Sequence, residues 1–375
     1  MRSACFIFLA LSLPAAVAQS PELPPSASVD ALLSHAIAAQ QRQDFSTAID
    51  DYRKILAVQP GLLEARANLG AALAATGDFD GAIAEDQKVL AITPNKAAVR
   101  KNLALAYYKK GDFGHALGEF EAVHAASPKD ISTAVLLGYV YIKLEKAAQA
   151  VALLTPLEAG QESNMDLEFV LGSSMIESGH ETEGLPRLEK MARATHSVDA
   201  YVLAGSTRLH RREFREARAD LDAALDLAPS VPGLYSLAGQ ARDAMGDTEA
   251  ALPAFEAALK ADPKDFTANL YLGAIRLKAR DFESARPLLE LALQLQPAST
   301  EGRLQMAKLN SMTGKLEEAA AALEDLEKND RNWLDPHVEL ATLYYKLHRP
   351  EDGQREREIV QQIEAAQQKA GPAAQ

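Results

Sequence analysis

The residues of this 375-residue chain whose types could carry chemistry are eight histidines, one cysteine and a surplus of carboxylates, 52 Asp and Glu against 39 Lys and Arg. Their spacing assembles no reaction. No histidine pairs with another at the interval that would place two imidazoles on one helical face, so no metal site is expected. His35, His115 and His337 each read as surface or core residues rather than ligands, and acidic pairs such as Asp50-Asp51 as surface. A glycine-rich phosphate loop, a Gly-x-Ser-x-Gly elbow and a His-Glu-x-x-His helix are all missing from the sequence. Neither catalysis nor a cofactor is expected. The net charge of -13, with both signs interspersed, also disfavours nucleic acid and anionic lipid as partners. The basic cluster at His210-Arg211-Arg212 is broken by Glu213 and Glu216 and reads as a solvated turn.

What the sequence does specify is a scaffold. Prolines at 60, 94 and 128, and again at 229, 263 and 297, recur every 34 residues, and the frame runs through the middle of the chain with one residue deleted. Ten units start near 29, 63, 97, 131, 165, 198, 232, 266, 300 and 334. A period of this kind marks a stack of supersecondary units that bury their faces against one another. The eighth position is small, as in Gly70, Ala104, Gly138 and Gly239, and so is the twentieth, from Ala48 to Gly353. Four residues after the twentieth comes a bulky apolar side chain, Tyr52, Phe120, Leu154 or Phe255, on the same helical face. Asp86 is the exception. Thr76-Gly77-Asp78, Lys110-Gly111-Asp112 and Met245-Gly246-Asp247 combine a glycine that ends one helix with an aspartate that caps the next. Each unit is therefore helix A, tight turn, helix B, and such short helices depend on stacking.

This pattern resembles the tetratricopeptide repeat, with Leu-Gly in helix A, Ala then Phe in helix B and a closing proline. The tryptophan of the family's fourth position is replaced, by Arg66, Arg100, Tyr201, Tyr235 and others. The resemblance covers residues 29 to about 366. It implies an all-α solenoid, a right-handed superhelix of about ten repeats, with a concave face formed by positions 2, 5, 6, 9, 12 and 13 of helix A. Pro156 falls inside helix B of the fourth repeat, which should stop near Thr155 and give way to a looser connection. Pro186, Pro253 and Pro287 occupy the twenty-second position, expected near the first turn of helix B where proline costs less. The last helix B, with Arg355, Glu356, Arg357 and Glu358, is expected to present the polar outer face of a terminal unit.

At the amino terminus, Arg2, the apolar run Ala4 to Leu13 and Ala16-Val17-Ala18 resemble a secretory signal peptide, residues 1–18, that would remove Cys5 on cleavage and leave no membrane span. A proline-rich leader, 19–28, and a disordered tail, 367–375, are expected to flank the repeats. The candidate partner surface is the concave face. Asn68 and Asn102, at the sixth position, match residues that in relatives hydrogen-bond an extended peptide backbone. Beyond them Leu105, Tyr108, Val135, Leu136, Tyr139, Ile142, Phe169, Val170 and Ile176 form an apolar strip that should not face water without a reason. The first reading is a bacterial periplasmic or secreted scaffold that binds a protein or extended peptide. The second is a self-associating envelope component, a homo-oligomer held by that strip. The third is an accessory role in envelope polysaccharide handling.

Overall fold

The protein is described by a computed structural model over residues 28–370, which contains twenty α-helices and divides into two compact units with the boundary between Leu203 and Ala204. The export signal expected at Met1 to Ala18 lies outside the described residues. In the first unit, α1 (Val29–Gln41) packs on α2 (Phe45–Val58), α3 (Leu63–Ala75) on α4 (Phe79–Ile92), and α5 (Ala97–Lys110) on α6 (Phe113–Ala126). Then come α7 (Ile131–Lys143) with α8 (Ala147–Leu154) and α9 (Met165–Glu177) with α10 (Glu181–Thr195). The boundary helix α11 (Val198–His210) is followed by α12 (Phe214–Leu227). The second unit continues with α13 (Leu234–Ala244) on α14 (Thr248–Ala261) and α15 (Phe266–Lys278) on α16 (Phe282–Leu295). It ends with α17 (Thr300–Met312) on α18 (Leu316–Asn329) and α19 (Leu334–Lys346) on α20 (Pro350–Ala370).

Nine of the ten frame starts coincide with the first residue of a helix A. The tenth, α13, starts two residues late because Gly233, after Pro232, takes a left-handed conformation with φ of 74°. Asp44, Asp78, Asp112, Asp247 and Asp281 cap the B helices by accepting a backbone N–H three residues on. Ser28, at the end of the expected leader, does the same for α1. Gly77, Gly111 and Gly246 supply the left-handed turn before the cap, and Gln43, Glu145, Arg212, Arg280 and His348 adopt it without glycine.

Helices A and B meet where the small positions allow. A Cβ added at Gly138 would sit 2.8 Å from Val170 and 2.9 Å from Leu154, and one at Gly239 would sit 2.6 Å from Phe255. Such contacts leave no room for a larger side chain. The facing bulky residues, Tyr52, Phe120, Leu154, Leu188, Leu221, Phe255, Leu289 and Leu323, are all fully buried.

Helix α8 ends at Leu154, and a short 3-10 turn at Thr155–Leu157 carries the chain away, as Pro156 dictates. Three other prolines lie deeper than expected. Pro186, Pro253 and Pro287 are each the sixth residue of their helix, because helix B starts at the seventeenth position of the repeat. The helices continue through them, and the carbonyls deprived of a partner belong to the exposed residues Thr182, Glu249 and Glu283, which water can satisfy. The last helix also differs from expectation. It runs to Ala370, past the point where the repeats were expected to give way to a tail, and Glu356 points inward at 8% exposure instead of lying on the outer face.

Asp86 occupies the site that elsewhere holds the bulky apolar side chain. It is 1% exposed, faces Gly70, and neither carboxylate oxygen has a hydrogen-bond partner. Burial, and secondarily the charge of Glu85, pushes its carboxyl from 3.8 up to about 7. The folded chain thus holds this proton more tightly than the unfolded chain does. Stability should be highest at and below the unfolded pKa, and should fall as pH rises through the window from 3.8 to about 7. Asp86→Leu should raise stability by about 1–3 kcal/mol. Chemical denaturation should show a larger gain at pH 8 than at pH 5, and an equal gain would argue against a raised native pKa.

Candidate functional site

Three kinds of polar or exposed feature interrupt the helical packing: the expected apolar strip of the first unit, a groove on the second, and a set of ion pairs that recur along the repeats.

The strip is mostly packing. Val135 is 6% exposed, Phe169 5% and Val170 0%, which corrects the expectation that they face solvent. The reason lies in the truncated α8. With that helix B ending at Leu154, α7 and α9 close on each other more extensively than the other successive A helices of this unit, and Val170 seats against Gly138. The rings of Tyr139 and Phe169 lie 6.3 Å apart across the same seam. Leu105, Tyr108 and Leu136 are half-buried against the main cluster of buried residues, and the ring of Phe113 meets that of Tyr108 edge-on. Ile176 is half-buried with its Cγ1 close to Gly184 of α10, and Ile142 is half-buried on α7. Asn102 is half-buried, and Asn68 is half-buried with its side chain hydrogen-bonded to the Tyr52 hydroxyl.

In the second unit the A helices α13, α15, α17 and α19 line a cavity of about 350 Å³. Its walls come from positions 6, 9, 12 and 13 of the repeats: Asp243, Leu277, Lys278, Gln305, Lys308, Met312 and Glu339. These are the concave-face positions of the resemblance, but in repeats 7 to 10 rather than 2 to 5. The Lys308 ammonium lies 3.6 Å from Glu339, and Asp243 accepts a hydrogen bond from Thr248 at 3.3 Å. Lys278 is exposed, Met312 is 41% exposed, and Val338 on α19 is 43% exposed. The surface thus combines amphipathic methylene stems, a polarizable thioether and both signs of charge. Such a lining can hold an extended chain by its apolar side chains while lysines and carboxylates contact its polar groups. No unbroken apolar run marks it in the sequence, because its apolar residues are interspersed with charged ones.

The third feature explains the missing tryptophan. Arg66 at the fourth position bonds Glu85 at 2.5 Å and donates to the carbonyl of Pro60 at 2.7 Å. Arg100 repeats this with Glu119 at 2.5 Å and the carbonyl of Pro94 at 2.8 Å. Glu168 and Arg187 form the same pair with the charges exchanged, at 3.0 Å. In the last repeat His337 bonds Glu356 at 2.7 Å and the carbonyl of Arg331 at 3.1 Å. Asn269 donates to the carbonyls of Pro263, at 3.1 Å, and Asp265, at 2.8 Å. In repeats 2, 3, 8 and 10 a planar polar group therefore ties the start of helix A to the turn before it, and in repeats 2, 3, 5 and 10 one ties it to helix B, where an indole would only fill space. Asp51, read as surface, is instead buried at 4% exposure and meets His35 at 2.6 Å, while His337, at 1% exposure, is a core residue.

Near the last of these pairs, burial and then the charge of Glu356 raise the carboxyl of Glu327 above its ordinary range.

Because Val170 packs between helices, Val170→Asp should lower stability on the order of 3–5 kcal/mol through an unpaired buried charge. Thermal or urea denaturation checks this, and an unchanged midpoint would return Val170 to the surface.

Among solved structures, the chain resembles MamA, at 20% identity and a TM-score of 0.40 over 45% of this chain and 92% of that one. It also resembles the C-terminal part of a TPR repeat-containing protein from Cytophaga hutchinsonii, at 18% identity and a TM-score of 0.49, over 63% and 97% of the two chains. YrrB, described as a TPR protein with an unusual peptide-binding site, matches at 22% identity and a TM-score of 0.43 over 51% and 97%. A search of curated proteins finds no match. A family model described as tetratricopeptide repeat matches residues 33–97 and 236–300, and a second model of that description matches 276–341. With helix pairs of this geometry in register along the chain, the protein is a member of the tetratricopeptide repeat family.

Proposed function

We propose that this protein is an exported scaffold that binds an extended peptide or a peptide segment of a partner protein along the A-helix faces of α15, α17 and α19. Tetratricopeptide repeats support protein–protein interaction at the level of the family. The observation that carries the finer reading is the groove of the second unit, where side chains of mixed polarity converge from successive A helices around about 350 Å³. A single preformed, partly apolar concavity with convergent polar groups is the form a ligand site takes. The strip of the first unit gives less support, because Val135, Phe169 and Val170 are already occupied with intramolecular packing. The same burial leaves less apolar surface in the first unit for self-association through that strip.

The reading of export rests on the sequence of residues 1–18. Among the described residues no helix is long and apolar enough to cross a membrane. A periplasmic or secreted location follows as part of the proposal.

Lys278→Glu with Met312→Glu should leave stability within about ±0.5 kcal/mol, since both side chains are exposed. Capture of the native partner from the envelope fraction should be lost. Full capture by the double variant with an intact melt would place the binding surface elsewhere.

A further inference from the structure

We propose that Glu327, His337 and Glu356 form a binding site for one divalent transition-metal ion of the zinc class, tying the last helix to the two before it. The three side chains come from α18, α19 and α20, and one donor atom from each lies within 4.8 Å of the others. His337 is 1% exposed and Glu356 8%, so two of the three are held by packing.

The imidazole is oriented as a ligand would be. Its Nε2 faces the carbonyl oxygen of Arg331 at 3.1 Å, and because a carbonyl only accepts, that nitrogen carries a hydrogen. Nδ1 is left to face the carboxylates, 2.7 Å from Glu356 Oε2. A histidine that donates its far nitrogen to a backbone carbonyl while presenting the other to carboxylates has the tautomer and ring orientation typical of metal-ligating histidine.

Comparison within the chain separates this cluster from an ordinary structural pair. In repeats 2 and 3 the corresponding positions hold a permanently charged guanidinium against one carboxylate, Arg66 with Glu85 and Arg100 with Glu119. In the last repeat the guanidinium is replaced by an imidazole, which can offer a lone pair, and a second carboxylate, Glu327, has been brought in from α18. One proton between Nδ1 and Glu356 balances one negative charge; a divalent ion balances both. Glu324 does not join the set, since it accepts from the Tyr344 hydroxyl at 2.8 Å and lies 3.8 Å from Arg349.

Imidazole nitrogen with carboxylate oxygen suits zinc, and bonds of about 2.0–2.2 Å set the donors roughly 3.3 Å apart, so the 2.7 Å contact of His337 with Glu356 opens and Glu327 moves in. Half-buried Glu327 can make most of that movement by side-chain rotation. On binding, the hydrogen on Nδ1 leaves as a proton, both carboxylates are ionised, and water completes the coordination of a three-ligand site.

The test uses the full chain without an affinity tag, stripped with EDTA and titrated with zinc chloride by calorimetry and thermal melting. One ion per chain should bind and raise the melting temperature. Glu327→Gln should leave the metal-free melt unchanged and weaken binding by about tenfold or more. His337→Arg rebuilds the pair of repeats 2 and 3 without a metal ligand, and should keep the metal-free melt while losing the zinc-dependent rise. Absence of stoichiometric binding, or wild-type affinity in either variant, would overturn the proposal and leave the cluster a proton-bridged ion pair.

Discussion

The close approach of helix A to helix B within each repeat is the constraint on which the structure rests. At the eighth position the backbone of helix A must come within contact of the bulky side chain at the twenty-fourth, and the space at Gly138, Gly205, Gly239 and Gly273 is too small even for a methyl group without displacement of a neighbour. From this contact follow the lengths and phases of the helices, the burial of Tyr52, Phe120, Phe255 and Leu289, and the dependence of each pair on those beside it. Repeat 2 violates the rule in one place. Asp86 puts a carboxyl where a phenyl ring would fit, beside Gly70, and leaves a local weak point within an otherwise apolar seam.

A second level of organisation lies over the packing. Where the family would place tryptophan, four repeats of this chain use an ion pair or a histidine–carboxylate pair between residues 19 apart, and three of these also bond a carbonyl six residues upstream. In those three repeats the bonds hold the angle at which helix A leaves its turn.

Much of the architecture was legible from periodicity. The proline spacing and the small eighth and twentieth positions fixed the start of helix A in nine repeats, and Pro156 marked where α8 would stop. The positions named by the resemblance also line the groove of the second unit, while three of the candidate residues in the first unit, Val135, Phe169 and Val170, are buried. Val135, Phe169 and Val170 share a helical face with exposed positions, and their burial depends on the shortening of α8, a tertiary consequence that one helix's periodicity does not encode. The ion pairs carried a signal that went unused, the recurrence of Arg or His followed by Glu at an interval of 19. Glu327 joins His337 only through the turn of α18 into α19, so helical spacing alone could not associate them.

The claim that a partner lies along the A helices of the second unit is tested most directly by site-specific photo-cross-linking in the native envelope. A benzophenone side chain at Gln305 or Met312 of α17 should cross-link to the bound partner, while one at the exposed Glu256 of α14 should not. Cross-links from Glu256 with none from α17 would contradict it.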